Sequence, residues 1–399
     1  MDRVFDVLLS GGFPAVLRGF GAIDRYLGQD DPPFLSVETT AGLPDLARLF
    51  EDLRFPGAAL ADGAVERDGR VYLFRCIDSD EPAGNMEKPA FVLLTFGQDP
   101  ETEHFLDPSG VYYLLRKIKD RTRNSAAGEI FRAINMPNYR GYCQSCMEAA
   151  LILARYCHED EARPGVLLDE IISLIRDSVT SAEFRDFPPG TAEQRFLLSG
   201  LLTSPSPDLG LELLKKTGFI AEFWPELALL DNVDHSKEFH PEGNVWKHTL
   251  ETFRYRKPAA GRGYDLRLSL GLLLHDAGKP LSEPSGNRRF DGHAELGARQ
   301  ACRFLERLGF EKGLIEEIRY LVKNHMLPAA LPRLPLARTG EIMSSPLFPS
   351  LMELYRCDES SSFRGLDGYH ESSAVYQSYL RYRRNPYRSA DGKKIRPLM

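Results

Sequence analysis

The stretch Gly271-Leu272-Leu273-Leu274-His275-Asp276-Ala277-Gly278-Lys279-Pro280 sets a run of leucines against an adjacent His-Asp pair. Leucine at this density predicts a buried helix from Leu266 to Asp276, with the Gly and the Pro as its stop. An imidazole and a carboxylate side by side at the end of a buried helix are costly unless something binds them. A divalent metal ion is their natural partner.

Further ligand types lie on either side. In chain order they are His248, His275, Asp276, His293, His325 and Asp358, with His240 shortly before them. Apart from the central pair, each falls near an expected helix end or turn, where a polar side chain can face a shared pocket. Imidazole and carboxylate without thiolate suit Mn, Fe, Co, Ni or Zn, or Mg on the carboxylates. Two such ions can clamp a phosphate oxygen and activate a water near neutral pH. Lys279, one turn past Asp276, can pair with a phosphate as a point charge.

The chain has 399 residues, which predicts two or three domains. Its net charge of −7 argues against non-specific nucleic-acid binding by the whole molecule, though not against a local basic site. No window is apolar for the roughly 18 residues of a membrane span. Met1-Asp2-Arg3-Val4-Phe5-Asp6 lacks the basic start of a signal peptide, and six cysteines in so long a chain are no disulfide framework. A cytoplasmic setting is expected.

The expected fold is mostly α. Residues 1–120 mix strand-like runs with Gly and Pro breaks and predict a small α/β head. Val71–Phe74 and Phe91–Phe96 are strand candidates, and Leu43–Phe50 has helical spacing with Thr40 as a cap nearby. Residues 121–235 predict a helical body, with helices over Met147–Tyr156, Val166–Ile175 and Leu209–Thr217. Thr191 and Gln194 form a candidate capping box there. Residues 236–370 predict an all-helical domain that carries the ligands, with Asn244 capping the helix of His248. Further helices are expected over His293–Leu308, Leu314–His325 and Leu347–Asp358. Residues 371–399 form a basic tail rich in Arg and Tyr.

The order His248, then His275-Asp276-Ala277-Gly278-Lys279, then Gly292-His293, then Asn324-His325, then Asp358 resembles an HD-domain metal phosphohydrolase. The flanks His240–Thr249 and Phe290–Ala298 are similar to the HD domain attached to bacterial tRNA nucleotidyltransferases and poly(A) polymerases. So is the body stretch Leu211–Leu214 with Gly218–Ile220 and Phe223–Leu227. The resemblance covers about 190–360. It implies that His248, His275, Asp276 and Asp358 hold one metal. It also implies that His293 and His325 complete a second, with Asp276 bridging.

The same resemblance implies a nucleotidyltransferase head, whose outline is present without its chemistry. Arg18–Gly28 resembles the family's Gly-Gly-x-Val-Arg-Asp-x-x-x-Gly element, with Phe20 in place of the second Gly and Ile23 in place of the Arg. Phe34 and Ser36 stand where an Asp-x-Asp pair should hold two magnesium ions. Lys88–Val92 lacks the family's Arg-Arg-Asp-Phe-Thr, and Gly141–Ser145 lacks its base-reading Glu-Asp-x-x-Arg. Asp24 and Glu38 are then expected to be solvated or capping acids. Cys143-Gln144-Ser145-Cys146 with Cys157-His158 has thiol spacing that can bind zinc, against which stands a helix start with buried thiols. His235 and His240 are expected to be loop histidines without a metal role.

These readings predict a metal-dependent phosphohydrolase with one or two ions. It would act on a phosphomonoester or 2′,3′-cyclic phosphodiester at the 3′-end of a nucleotide or RNA, with tRNA a candidate partner and no membrane involved. Asp276, Lys279, His293 and His325 carry the chemistry. The rival is a non-catalytic RNA-binding protein that keeps the family's shape. The sequence does not fix the oligomeric state.

Overall fold

A computed structural model describes residues 3–56, 61–77, 89–119, 131, 141–157, 164–178, 188–234, 243–258, 263–282, 290–362, 365–383 and 394. It divides into two compact units, 1–220 with 258–264, and 221–257 with 265–399. The architecture is mostly α, with a small mixed sheet confined to the first unit.

The strands are β1 (Ala15–Arg18), β2 (Phe34–Thr39), β3 (Gly63–Arg67), β4 (Arg70–Cys76), β5 (Gly97–Gln98) and β6 (Phe105–Leu106). They form one sheet in the order β3-β4-β2-β1-β5-β6, antiparallel except for β2 with β4. Alternation explains β2: Leu35, Val37 and Thr39 are buried on one face, while Phe34, Ser36 and Glu38 point to the other. The expected strand Val71–Phe74 lies within β4. Phe91–Phe96 is not a strand. Val92–Thr95 is a short 3₁₀ turn, and only the following Gly97–Gln98 pairs in the sheet. The Glu148 carboxylate takes the Ala90 N–H at 2.7 Å and the Phe91 N–H at 3.3 Å. Donors spent on a side chain cannot join a ladder.

Around the sheet lie α1 (Arg3–Ser10), α2 (Phe20–Leu27), α3 (Leu43–Leu49) and α4 (Tyr112–Lys119). The body helices are α5 (Gly141–Tyr156), α6 (Pro164–Ser178), α7 (Thr191–Leu202) and α8 (Pro207–Thr217). Two expected caps shift. Gly42, not Thr40, caps α3, with the Asp45 carboxylate on its N–H at 3.2 Å. Gly190 caps α7, with Glu193 on its N–H at 2.8 Å, while Thr191 is already helical. In both, the carboxylate three residues on supplies the bond and glycine supplies only backbone.

Asp24 is fully buried, contrary to the expected solvated acid. It accepts hydrogen bonds from the buried Arg155 guanidinium and, at 2.8 Å, from the Tyr156 hydroxyl on α5. Burial pushes its carboxyl up to about 6, against the pull of Arg155 and Tyr156. Glu38 accepts from Arg18 Nε at 2.6 Å. Cys143, Cys146 and Cys157 are buried along or just past α5, and burial pushes the Cys146 and Cys157 thiols up to about 12. Among the described residues no metal-capable group includes a cysteine. His158, His235 and His240 lie outside the described residues.

In the second unit the candidate ligands lie on or at the ends of α9 (Val245–Thr252), α10 (Leu266–Leu274), α11 (His293–Arg307), α12 (Lys312–Asn324) and α13 (Phe348–Ser360), and α14 (Asp367–Arg383) follows. Asp265 caps α10, its carboxylate accepting from the Leu268 N–H at 2.9 Å. Leu268, Leu270, Leu272, Leu273 and Leu274 are buried among α9, α12 and α13. Each contributes roughly 1.5–3 kcal/mol of burial, enough together to offset the several kcal/mol of a buried imidazole and carboxylate. The expected basic tail is helical as far as Arg383, with Ser372 and Tyr379 buried.

Candidate metal centre

Five helices converge on one point. The capping predicted for α9 is present: Asn244 Oδ1 accepts from the Lys247 N–H at 2.9 Å, and His248 follows one turn in. His275 ends α10, His293 begins α11, His325 ends α12 and Asp358 lies in the last turn of α13. His248, His275, Asp276, His293 and His325 are buried.

Each imidazole is oriented from behind. Nδ1 of His275 lies 2.7 Å from the Leu272 carbonyl, that of His293 2.6 Å from Phe290 and that of His325 2.7 Å from Val322. A carbonyl can only accept, so all three Nδ1 atoms carry the proton. His275 and His325 use the last turn of their helices, where carbonyls have no intrahelical donor. His248 Nδ1 faces Ser361 Oγ at 3.3 Å. Ser361 could not be found from the ligand pattern, because a serine after a helix is normally read as a cap.

The bare Nε2 atoms then point inward. Those of His293 and His325 face each other at 3.1 Å. The Asp276 carboxylate divides between two sides. Its Oδ1 lies 3.7 Å from His293 Nε2 and 3.9 Å from His325 Nε2, while Oδ2 lies 3.4 Å from His275 Nε2. Two triads result, His248–His275–Asp276 and Asp276–His293–His325, each with ligand atoms within 4.8 Å of one another. Asp358 joins the first side, its Oδ1 3.0 Å from His248 Nε2 and 3.9 Å from His275 Nε2. All six expected ligands are thus brought together. Lys279 also lies at the centre, but its ammonium sits on Asp276 Oδ2 at 2.6 Å.

Burial favours the neutral imidazoles of His293 and His325. Burial, then the neighbouring His275, holds the His325 imidazole down to about 4. Burial also lowers that of His293. Burial alone would raise the Asp358 carboxyl, but the His248 hydrogen bond and the His275 and His248 charges hold it below the usual range. His275 Nε2 is buried with no hydrogen-bond partner. An orphaned lone pair beside three imidazoles and two carboxylates fits a divalent cation.

The turn that presents Asp276 is fixed by close backbone packing. A Cβ on Gly278 would lie 1.9 Å from the His293 carbonyl oxygen and 2.4 Å from the Gly297 nitrogen. Only glycine lets this turn lie against α11.

Residues 245–347 match the family model described as the HD domain. A CC-adding tRNA nucleotidyltransferase of Thermus thermophilus is 36% identical over 177 residues, 43% of this chain and 39% of that protein. The chain is thus similar, over part of its length, to HD-domain tRNA nucleotidyltransferases. A multifunctional CCA protein of Halorhodospira halophila is 34% identical over 158 residues, 40% of this chain and 37% of that one. These matches span less than two fifths of each relative's length. A solved structure of a Bacillus stearothermophilus CCA-adding enzyme in complex with CTP is similar at a TM-score of 0.46 and 14% identity, over 96% of this chain and 84% of that one. Five of the six ligands fall inside the matched HD stretch, and Asp358 lies beyond it.

Among the described residues the head has no comparable centre. Among the described residues, the metal-capable groups are the two that share Asp276. On β2, Phe34 packs edge-on against Phe196 of α7 at 5.8 Å, beside an apolar cluster of Ala61, Ala64 and Leu73. Ser36 is exposed and Glu38 is paired with Arg18.

Proposed function

We propose that this protein is a metal-dependent phosphohydrolase whose HD site cleaves a phosphomonoester or a 2′,3′-cyclic phosphodiester of a nucleotide or an RNA end. The observation that carries this reading is the division of one carboxylate, Asp276, between two buried histidine pairs, with the His275 lone pair left over. His248, His275, Asp276 and Asp358 would hold one divalent ion and Asp276, His293 and His325 a second, from Mg, Mn, Co, Ni, Fe or Zn. When bound, such ions supply Lewis acidity toward phosphoryl oxygens and an activated water near neutral pH. His275, His293 and His325 keep their Nδ1 protons on backbone carbonyls, which fixes the tautomer and the ring plane. Lys279 supplies a positive charge that can shift from Asp276 to a phosphoryl oxygen, and so steadies the transferred group.

We propose further that the head does not transfer nucleotides. Phosphoryl transfer needs carboxylates that hold its metal ions. An apolar ring, a hydroxyl and a paired glutamate occupy that face of β2. Similarity to a CC-adding tRNA nucleotidyltransferase and a multifunctional CCA protein favours a second reading, nucleotide addition to tRNA; the composition of β2 supports its loss.

The test is hydrolysis of 2′,3′-cyclic AMP, 2′-AMP and a chromogenic phosphodiester with Mg, Mn, Co and Ni, for wild type and Asp276→Ala. Metal-dependent turnover abolished by the substitution supports the reading. Absence of turnover from folded protein with every metal rejects it.

A further inference from the structure

The side chain of Asp358 is 25% exposed, against 1–3% for those of His248, His275, Asp276 and His325. It sits in the last turn of α13, and helix ends fray unless something ties them. The next residue supplies the tie. Glu359 Oε2 accepts from the Tyr369 N–H in the first turn of α14 at 2.8 Å, and Oε1 accepts from the Tyr355 hydroxyl at 2.6 Å. Tyr355 lies one turn back on α13 and is buried, so it holds the carboxylate from behind. A Cβ on Gly368 would fall 2.7 Å from Glu359 Oε1 and 2.8 Å from the Tyr355 hydroxyl oxygen. The first turn of α14 therefore lies directly on this pair.

The same helix reaches the other side of the centre. The fully buried Ser372 hydroxyl donates to the Pro328 carbonyl at 2.7 Å, and Pro328 follows His325 closely in the chain. Further along α14, Tyr376 packs on Phe348 at the start of α13, with ring centroids 4.6 Å apart. One helix thus bears on the residue after Asp358 and on the segment after His325, ligands of opposite sides of the centre. Asp358, Glu359 and α14 all lie past residue 347, beyond the stretch that matches the HD model.

We propose that Glu359 and Ser372 are positioning residues for the metal centre, through which the docking of α14 sets Asp358 on one side and His325 on the other. Neither side chain is a ligand. Glu359 holds the turn that aims Asp358, and Ser372 holds the segment that follows His325. The C-terminal helix is then a latch on the centre. Docking of α14 and metal binding favour each other, because coupling between two sites is reciprocal. The proposal rests on the metal reading of the six ligands and is independent of which phosphate ester the site cleaves.

The experiment measures Mn binding by calorimetry on the full-length protein without substrate, for wild type, E359A, E359Q and S372A, and for E359A in a D358A background. Loss of the supporting hydrogen bonds predicts about a 10-fold loss of Mn affinity in E359A and in S372A. E359Q keeps an acceptor for the Tyr369 N–H and should bind Mn as wild type does. In the D358A background Asp276, His293 and His325 remain, and E359A should cost nothing further, because Glu359 acts through Asp358. A merely structural role would give the same loss with or without Asp358. Saturating Mn should also slow amide exchange over residues 367–383 in wild type, a readout that needs no variant to fold. Wild-type Mn affinity in E359A overturns the proposal. So does an undiminished loss in the D358A background, or exchange in α14 that does not respond to Mn. Wild type that binds Mn with this coupling yet hydrolyses no phosphate ester rejects the phosphohydrolase reading and leaves the latch standing. Wild type that binds no Mn rejects the metal reading and the latch with it.

Discussion

Nε2 of His293 and Nε2 of His325 face each other at 3.1 Å, and both Nδ1 atoms are held by backbone carbonyls. Two acceptor lone pairs at hydrogen-bond distance repel unless a cation or a proton sits between them. The Asp276 carboxylate points at the same place from a third direction.

This arrangement predicts a metal-dependent gain in stability that runs through Asp276. Addition of Mn to wild type at about 100 times its Kd should stabilise the fold by about 2.7 kcal/mol, read as a rise in Tm. Asp276→Ala should abolish the shift, because both triads lose their shared ligand. Asp358→Ala should reduce it without abolishing it. An undiminished shift in Asp276→Ala would contradict the shared-carboxylate assignment.

Backbone packing at Gly278 makes a second prediction. Gly278→Ala places a methyl group into the His293 carbonyl, and backbone cannot yield as a flexible side chain can. The variant should lose about 1–3 kcal/mol of stability and at least tenfold of metal affinity. Gly313→Ala, in the first turn of α12 with nothing within 4 Å of the added carbon, should be neutral or slightly stabilising. Urea melts and metal titration of the two variants check the contrast.

A third prediction concerns the buried Asp24–Arg155 pair. Arg155→Met leaves a carboxylate buried without its cation and should cost about 3–5 kcal/mol at pH 7. Asp24 has a carboxyl raised above its unfolded value of 3.8 to about 6. Between those values the folded state binds more protons than the unfolded state. The stabilisation from protonating Asp24 is therefore fully present below about 3.8 and is lost as pH rises through about 6. Denaturant melts of Arg155→Met should recover part of the loss between pH 7 and pH 5, and an added Asp24→Asn should remove that recovery. Identical melts of wild type and Arg155→Met at both pH values would refute the account.

The sheet face around Phe34 predicts that wild-type protein will not incorporate labelled nucleotide into tRNA lacking its 3′-terminal residues, with Mg or Mn. Phe34→Asp should not restore incorporation, and should destabilise the first unit by about 2 kcal/mol or more through loss of the Phe196 contact. Labelled product from wild type would overturn the proposed loss of transfer.

Thiol accessibility supplies a fifth check. Cys76 and Cys302 are partly exposed, whereas Cys143, Cys146, Cys157 and Cys357 are buried. Native protein should titrate two thiols with an aromatic disulfide reagent and the rest only after unfolding. A zinc-chelating agent should not change that number. Early reaction of Cys143 or Cys146 would reopen the zinc reading of their spacing.

The sequence by itself determined the leucine helix, its stop at His275-Asp276, the Asn244 cap and the six ligand types. These follow from local rules: hydrophobic density, a side chain that bonds its own backbone, and residue chemistry that does not depend on neighbours. Tertiary structure alone decided which oxygen of Asp276 meets which histidine, because His248 and Asp358 are 110 positions apart and meet only when the helices pack. It also placed Lys279 on Asp276, turned Phe91–Phe96 away from the sheet through Glu148, and buried Asp24 against Arg155, 131 positions on. In each of these cases a polar group found its partner through a distant packed element. Local pattern carries no record of such a partner, since the same residue in water would need none.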